Sequence, residues 1–275
     1  MILQSRRKSR INPKSAFLQA FRKDVTTQRG EDGIIEKIFE IVGATNRYCV
    51  EFGAWDGKLY SSTWNMLNNR DWHGLLIEAN EAKFAELESA YRDNDQVAIL
   101  NTLVEREGEA SLDAILTRAG APADLDFLCI DVDGVDWHIW NSLTEFSPRL
   151  ISIEFNPTVP NDIVFVQDDD AAINQGASLL ALVELGRSKG YELVATTACN
   201  GFFVRNELYS TFGIEDNDID AMHDTGPFES RLFQCYDGTL VLSGCRHLLW
   251  SDVTINQEDI QVLPQALRKF GGSVS

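Results

Sequence analysis

The chain has 275 residues, 44% of them hydrophobic, and a net charge of −18 at pH 7. This length accommodates one large α/β domain, or one domain with an appendage, and the apolar fraction is ample for a globular core. The acidic balance argues against a surface that binds nucleic acid, because phosphate binding requires a basic face.

The sequence also argues against a membrane span or a secretory signal. It contains no apolar run near the ~18 residues that a membrane-spanning helix needs. The basic residues Arg6, Arg7, Lys8 and Arg10 are not followed by the apolar stretch of a secretory signal. The five cysteines are odd in number and lack C-x-x-C spacing, as expected of reduced thiols. We therefore expect a cytoplasmic protein.

In chain order, residues 1–30 are predicted to form a basic tail that leads into the first helix. From Asp32 to Val42 the apolar residues recur with helical spacing, and Gly43 is a natural end. The main domain is therefore predicted to begin at residue 31.

The stretch from 48 to 57, YCVEFGAWDG, comes next. An apolar run typical of a buried strand breaks at Gly53 and Gly57, where glycine lets a ligand approach the backbone, and a helix follows. The loop lacks the G-x-G-x-x-G spacing of a dinucleotide site, and its acids, Glu51 and Asp56, would repel a pyrophosphate. These acids suit a ligand with an ammonium group and a positive sulfur, which describes S-adenosylmethionine.

A second strand, residues 73–77, ends at Glu78, 21 positions after Gly57. An acid at the tip of the second strand, about 20 residues after a glycine turn, is where a carboxylate accepts hydrogen bonds from ribose hydroxyls. The order strand, glycine turn, helix, strand and acid is a stronger signal than the glycines alone. We therefore predict that Glu78 binds the ribose of the cofactor.

Strands and helices continue to alternate beyond this unit. Further strands are predicted at 97–100, 125–130 and 150–153, and a hairpin at 191–204 around Asn200-Gly201. Five parallel strands closed by one antiparallel hairpin predict an α/β fold with a Rossmann-like class I methyltransferase sheet. Beyond Tyr209 the periodicity weakens. We therefore predict a main domain over 31–210 and a C-terminal extension over 211–275.

Polar residues follow the fourth and fifth predicted strands. They are Asp131, Asp133, Asp136 and His138 after the fourth, and Glu154 and Asn156 after the fifth. The carboxyl ends of parallel strands line the ligand crevice, so these groups are expected to gather there.

This second cluster allows two kinds of chemistry. Methylating an alcohol requires removal of its proton, so Asp131, His138 and Glu154 are predicted catalytic residues, with Asp133 and Asn156 binding the substrate. Oxygens of Asp131, Glu154 and Asn156 could instead hold a divalent cation such as Mg²⁺ that acidifies the hydroxyl. Structural roles stay open: Asp133 or Asp136 could cap the following helix, and His138 could serve in packing. The long loop over 158–175 is predicted as either a lid or a solvated insertion.

The chain resembles the FkbM-type class of S-adenosylmethionine-dependent methyltransferases over roughly residues 45–205. The matching motifs are Val50-Glu51-Phe52-Gly53 with Asp56-Gly57, Leu76-Ile77-Glu78, Ile130-Asp131-Val132-Asp133-Gly134, Ile153-Glu154-Phe155-Asn156-Pro157 and Gly190-Tyr191-Glu192-Leu193-Val194. The resemblance implies a seven-stranded methyltransferase fold and methyl transfer to a hydroxyl oxygen, often on a sugar or a secondary metabolite.

The resemblance also assigns the cofactor contacts. It places Glu51, Gly53, Asp56 and Gly57 at the methionine moiety and Glu78 at the ribose, and we add Ala54 and Asn101 to the predicted cofactor residues. The acceptor is expected to be a small molecule or a glycan with a free hydroxyl. Residues from 211 onward have no counterpart in the common core of the family.

Two alternatives belong to other functional classes. Asp131-x-Asp133-Gly134-Val135 also resembles the nucleophile loop of haloacid-dehalogenase-type phosphatases. In that class the aspartate follows the first strand rather than the fourth, and the loop from Gly53 to Gly57 would have no task. The other alternative is a nucleotide-binding module without catalytic turnover.

Overall fold

Strands and helices alternate along most of the chain in the structure, a computed structural model that describes residues 11–268. The strands in this part of the chain are β1 (Tyr48–Phe52), β2 (His73–Glu78), β3 (Val97–Asn101), β4 (Phe127–Ile130), β5 (Leu150–Glu154), β6 (Tyr191–Thr196), β7 (Asn200–Arg205), β8 (Ser230–Gln234), β9 (Leu240–Gly244), β10 (His247–Leu248) and β11 (Val253–Thr254). The α-helices are α1 (Glu31–Val42), α2 (Trp64–Asn69), α3 (Glu81–Tyr91), α4 (Leu112–Ala119), α5 (Asp136–Ser142), α6 (Leu179–Ser188), α7 (Asn206–Tyr209) and α8 (Ile219–Met222). Among the described helices, none is long and apolar enough to cross a membrane.

The central sheet has seven strands in the order β3-β2-β1-β4-β5-β7-β6. Strands β1 to β5 pair in parallel, whereas β7 runs antiparallel to both β5 and β6. This arrangement confirms the predicted Rossmann-like class I methyltransferase sheet of five parallel strands and one hairpin. Since the parallel strands point the same way, their carboxyl ends meet at one edge of the sheet.

The middle strands are apolar because both faces of the sheet are covered. Every residue of β1 and β4 is buried, as expected for central strands of a parallel sheet. Ile34, Ile38 and Leu182 from the flanking helices are fully buried in the same core. The strand ends that carry the predicted site residues are therefore held in position by a well-packed core.

Residues 11–30 pack against the domain, which differs from the predicted tail over 1–30. The segment Phe17–Phe21 forms a 3₁₀-helix in which Leu18 is fully buried. The Gln19 side-chain amide donates to the backbone carbonyl of Thr196 at the end of β6. The apolar run is too short to signal this packing from sequence, because it depends on a partner surface distant in the chain. The first ten residues of the predicted tail lie outside the described residues.

The first part of the predicted C-terminal extension also belongs to the main core. Phe212, Ile214, Ile219 and Met222 are buried within it. Asn217 donates through its side-chain amide to the carbonyl of Leu193 in β6 at 3.3 Å. Two small antiparallel pairs, β8 with β9 and β10 with β11, follow outside the central sheet. The structure thus joins residues 211–222 to the domain.

Candidate active site

A cleft of about 690 Å³ opens at the carboxyl ends of the parallel strands. The predicted site residues that line it are Glu51, Gly53, Ala54, Glu78, Asp131, Asp133 and Glu154. The predicted site residues that do not line it are Asp56, Gly57, Asn101, His138 and Asn156. The structure therefore brings the acids at the strand ends together at the cleft. Asp56, Gly57, His138 and Asn156 are close to them in sequence but lie outside its lining.

The two glycines of the first loop are required for packing. Gly53 has φ of +77°, and a Cβ there would lie 1.9 Å from the backbone carbonyl oxygen of Asp131. Gly57 has φ of +75°, and a Cβ there would lie 2.5 Å from Leu87 and 2.7 Å from the Tyr91 ring, both on α3. Only Gly53 borders the cleft. The glycines thus let the end of β4 and α3 approach the loop, and their predicted role in the approach of a ligand stays a prediction.

Glu51 organises the segment that follows the glycine loop. It is 4% exposed, and its carboxylate accepts hydrogen bonds from Ser61 Oγ (2.6 Å), Thr63 Oγ1 (2.6 Å) and the Ser62 backbone N–H (2.9 Å). Burial raises the pKa of the Glu51 carboxyl, and these three hydrogen bonds oppose the shift. Glu51 thus connects β1 to the start of α2, and its predicted contact with the methionine moiety stays a prediction.

Glu78 lies at the tip of β2 with lone pairs still available. One carboxylate oxygen accepts from the Trp55 backbone N–H at 2.8 Å, and the other accepts from the Asn80 N–H at 2.7 Å. Each carboxylate oxygen can accept a second hydrogen bond. The Asn101 side chain donates to the Glu78 backbone carbonyl at 2.7 Å, so Asn101 aligns the ends of β2 and β3 from outside the cleft. Glu78 is fixed in position and borders the cleft, as a ribose-binding acid must be.

The Asp56 side chain stabilises the turn in which it lies. Its Oδ1 accepts from the backbone N–H groups of Lys58 (2.9 Å) and Leu59 (2.7 Å). Short acidic side chains commonly close turns in this way. The geometry favours this local role over the predicted contact with a cofactor.

Three acids converge at the ends of β4 and β5. One carboxylate oxygen from each of Asp131, Asp133 and Glu154 lies within 4.8 Å of the other two. Burial, followed by the charges of Asp136 and Asp133, raises the pKa of Asp131 well above its usual range. Burial, followed by the charge of Asp131, raises the pKa of Glu154. Carboxylates held this close repel one another, so a proton or a cation would stabilise the cluster.

His138 and Asn156 have structural partners away from this cluster. The Nε2 atom of His138 is 2.9 Å from the Gln167 backbone carbonyl, and its ring packs edge-on against Trp137. Asn156 donates to the Gln175 carbonyl at 2.8 Å and accepts from the Thr158 N–H at 3.0 Å. Their predicted roles in catalysis, substrate binding and metal binding are not supported by this geometry. In the cluster of three acids, Asp133 lies where Asn156 was predicted as the third metal ligand.

Asp136 accounts for the shape of the loop after β4. It accepts from the backbone N–H groups of Val132 at 3.0 Å and Gly134 at 2.8 Å, and Asp133 adopts φ of +59° between them. A left-handed aspartate is uncommon, and here the loop hydrogen bonds hold it in place. This turn directs Asp133 toward the cleft rather than to a helix cap.

The long loop over 158–175 does not border the cleft in this structure. Gln167 is buried within it, and Asp169 pairs with Arg106 at 2.9 Å. Asn161 donates to Asp220 of α8 at 3.0 Å. The loop is thus packed on the domain as an insertion, and a lid role stays a prediction.

Sequence motifs missed several residues of the cleft. Arg29 and Glu31, at the start of α1, line one wall, and Phe228 and Leu249 reach it from the predicted extension. Neither the strand ends nor the glycine turn of the sequence points to these residues. Arg29 and Glu31 come before the first strand, and Phe228 and Leu249 come after the last strand of the central sheet. The acidic first turn of α1 was the sole available cue, and it indicates only a helix start.

Solved structures that resemble this chain include methyltransferases with low sequence identity. The N-terminal domain of EvdMO1 with SAH bound is 15% identical, with 65% of this chain and 82% of that chain covered and a TM-score of 0.43. A SAM-dependent methyltransferase from Aquifex aeolicus is 11% identical, with 62% and 87% covered and a TM-score of 0.39. The CurJ carbon methyltransferase is 9% identical, with 71% and 60% covered and a TM-score of 0.45. With TM-scores below 0.5, these likenesses assign no ligand or activity to this chain.

No protein-family model matches the sequence, and no curated protein matches it. The resemblance to the FkbM-type class therefore stays a prediction. The fold class rests on the strand order, with β7 inserted antiparallel between β5 and β6.

Proposed function

We propose that this protein is an S-adenosylmethionine-dependent methyltransferase that transfers a methyl group to a hydroxyl oxygen of a small molecule or glycan, such as a sugar. The observation that carries the proposal is the position of Glu78. It stands at the tip of β2, beside the glycine turn after β1, and lines the cleft at the strand ends of a class I sheet. A ribose-binding acid is expected at this place.

The charges in the cleft support this cofactor over a dinucleotide. Six acidic side chains and one arginine line it among the described residues. S-adenosylmethionine has a positive sulfur and an ammonium group, which such a lining attracts, whereas a pyrophosphate would be repelled. Each oxygen of Glu78 keeps a lone pair for a ribose hydroxyl. The residues present therefore fit S-adenosylmethionine, which would supply the electrophilic methyl group.

The acceptor side of the cleft is formed by the acids after β4 and β5. S-adenosylmethionine, when bound, would supply the methyl group, and the acceptor hydroxyl would give up its proton as its oxygen takes that group. The ionised member of the Asp131–Glu154 pair is placed to accept that proton. A positioned base of this kind contributes about 10²–10⁴ in rate. Exposed apolar side chains at the rim, Trp55, Leu59 and Tyr60, give the acceptor a surface to contact.

The same acids form a candidate divalent-cation site. Asp131, Asp133 and Glu154 offer the oxygen ligands that Mg²⁺ prefers, and a bound cation would acidify the acceptor hydroxyl. On this proposal, EDTA abolishes turnover, Mg²⁺ restores it, and Glu154→Gln raises the Mg²⁺ concentration required. Full activity in EDTA would mean that the carboxylates act as bases without a metal.

The decisive experiment is a calorimetric titration of the protein with S-adenosylmethionine, S-adenosylhomocysteine and NAD. We expect the first two to bind and NAD not to bind. Transfer of a labelled methyl group to a panel of sugars and hydroxylated metabolites then identifies the acceptor. Binding of NAD alone would refute the proposal. Cofactor binding without transfer to any acceptor would favour the inactive nucleotide-binding module.

A further inference from the structure

Two side chains of opposite charge, which come before β1 in the chain, line one wall of the cleft, and the proposed reaction gives neither of them a specific role. Arg29 and Glu31 both line the cleft. Arg29 is exposed, and among the described lining residues it is the one basic side chain. Glu31, the first residue of α1, is 3% exposed. A cation and an anion thus stand two residues apart on one wall.

Glu31 has a carboxylate oxygen with no partner. Its Oε2 accepts from the Arg29 backbone N–H at 2.8 Å, while its Oε1 is buried and has no hydrogen-bond partner among the described residues. A buried carboxylate oxygen is normally hydrogen-bonded, because leaving it unpaired is unfavourable. An ionised Asp131 carboxylate offers no donor to this oxygen, and the charge of Glu31 is itself among the smaller causes that raise the pKa of Asp131. A cationic donor brought by a ligand would satisfy Oε1.

The segment that carries these side chains is held firmly. Asp32 Oδ2 accepts the backbone N–H groups of residues 25–27, and the Arg22 Nε donates to the Arg29 carbonyl at 2.8 Å. The Thr26 hydroxyl donates to the Ser61 carbonyl at 2.9 Å, which connects the segment to the loop after β1. Binding groups on a pre-organised segment lose little entropy when a ligand arrives.

We propose that Arg29 and Glu31 clamp the amino-acid end of S-adenosylmethionine. The Glu31 carboxylate accepts from the α-ammonium group, and the Arg29 guanidinium donates to the α-carboxylate. This inference rests on the proposed function. It follows from chemical complementarity, because a planar guanidinium matches a carboxylate and an unpaired carboxylate matches an ammonium group. A divalent cation fits this wall poorly, since Arg29 would repel it.

The test uses ligands that lack one end of the zwitterion. Calorimetry on the full chain compares S-adenosylhomocysteine, its analogue without the α-amino group, and its α-carboxamide. We expect Glu31→Gln to weaken S-adenosylhomocysteine binding about 10- to 100-fold while leaving the deaminated analogue unaffected. Arg29→Gln should weaken S-adenosylhomocysteine binding and leave the carboxamide unaffected. Glu40→Gln, an exposed position on α1 paired with Lys37, is the matched control and should change nothing.

Several results would overturn the clamp. Wild-type affinity for S-adenosylhomocysteine in both variants contradicts it directly. Equal losses for all three ligands in a variant with a normal melting curve would mean a purely structural role. If the wild-type protein binds none of the three ligands, the proposed function itself fails, and that outcome is distinct because no variant is needed to see it.

Discussion

Replacing Glu78 by glutamine should weaken the binding of S-adenosylhomocysteine by roughly 30- to 1000-fold. The two carboxylate oxygens already accept backbone N–H groups from Trp55 and Asn80, which leaves one lone pair on each for a ribose hydroxyl. Glutamine removes the charge and one of the two acceptors. Losing the charge and one of these two hydrogen bonds corresponds to about 2–4 kcal/mol of binding free energy, which gives the stated factor.

The same substitution should lower the free energy of unfolding. The glutamine amide nitrogen would face either the Trp55 or the Asn80 N–H, and a backbone donor left unpaired costs about 1–3 kcal/mol. Trp55 has φ of +52°, so its left-handed conformation depends on such support. Urea unfolding measured beside the calorimetry separates this effect from the loss of ribose contacts.

Glu81→Gln provides the matched control, because Glu81 is an exposed acid in the first turn of α3. It should leave affinity unchanged and lower the free energy of unfolding by less than about 1 kcal/mol, through the lost interaction with the helix dipole. If Glu78→Gln is folded and binds S-adenosylhomocysteine as tightly as the control, Glu78 does not hold the ribose. The assignment of the cofactor to this strand end would then be wrong.

Three further predictions concern packing, catalysis and pH. Gly53→Ala should destabilise the fold by about 3 kcal/mol or more, because the added Cβ meets the Asp131 carbonyl. Gly120 is also at positive φ but faces open space, so Gly120→Ala should cost only about 1 kcal/mol. Equal losses of unfolding free energy in urea would contradict the packing explanation. His138→Ala should lower stability by about 1 kcal/mol through its lost hydrogen bond and leave turnover unchanged, so that a drop in turnover of about 100-fold would restore a catalytic role. Burial lowers the pKa of His223 from 6.5 to about 4, so its contribution to stability is complete above pH 6.5 and is lost as the pH falls toward 4. Unfolding measured at pH 7 and about 4.5 should show up to about 3 kcal/mol of that loss, and His223→Gln should lose less between the two values; an identical pH dependence in the variant would refute the assignment.

The seven strands of the central sheet, their order along the chain and the acids at their tips could be predicted from sequence. Buried parallel strands are near-continuous apolar runs, and the residue that ends such a run must lie at the sheet edge, as Glu78 and Glu154 do. This logic is local and needs no knowledge of the rest of the chain.

The side-chain contacts of the site were harder to predict. His138 is in the right segment, but the Gln167 carbonyl of a distant loop sets its hydrogen bond. Glu31 and Arg29 escape notice because they lie at and just before the start of α1, which comes before the strand that leads into the glycine loop. Such contacts depend on tertiary packing between segments far apart in sequence, and a pattern read within one segment does not contain them.

Two side-chain amides that donate to the backbone of β6, those of Gln19 and Asn217, affect how copies of this protein would associate. They occupy outward carbonyls of Thr196 and Leu193, so this border of the sheet offers fewer free acceptors to a foreign strand. The opposite border is β3, beyond which the described residues place no further strand. If a destabilised form of the protein polymerises by strand addition, growth should therefore start at β3.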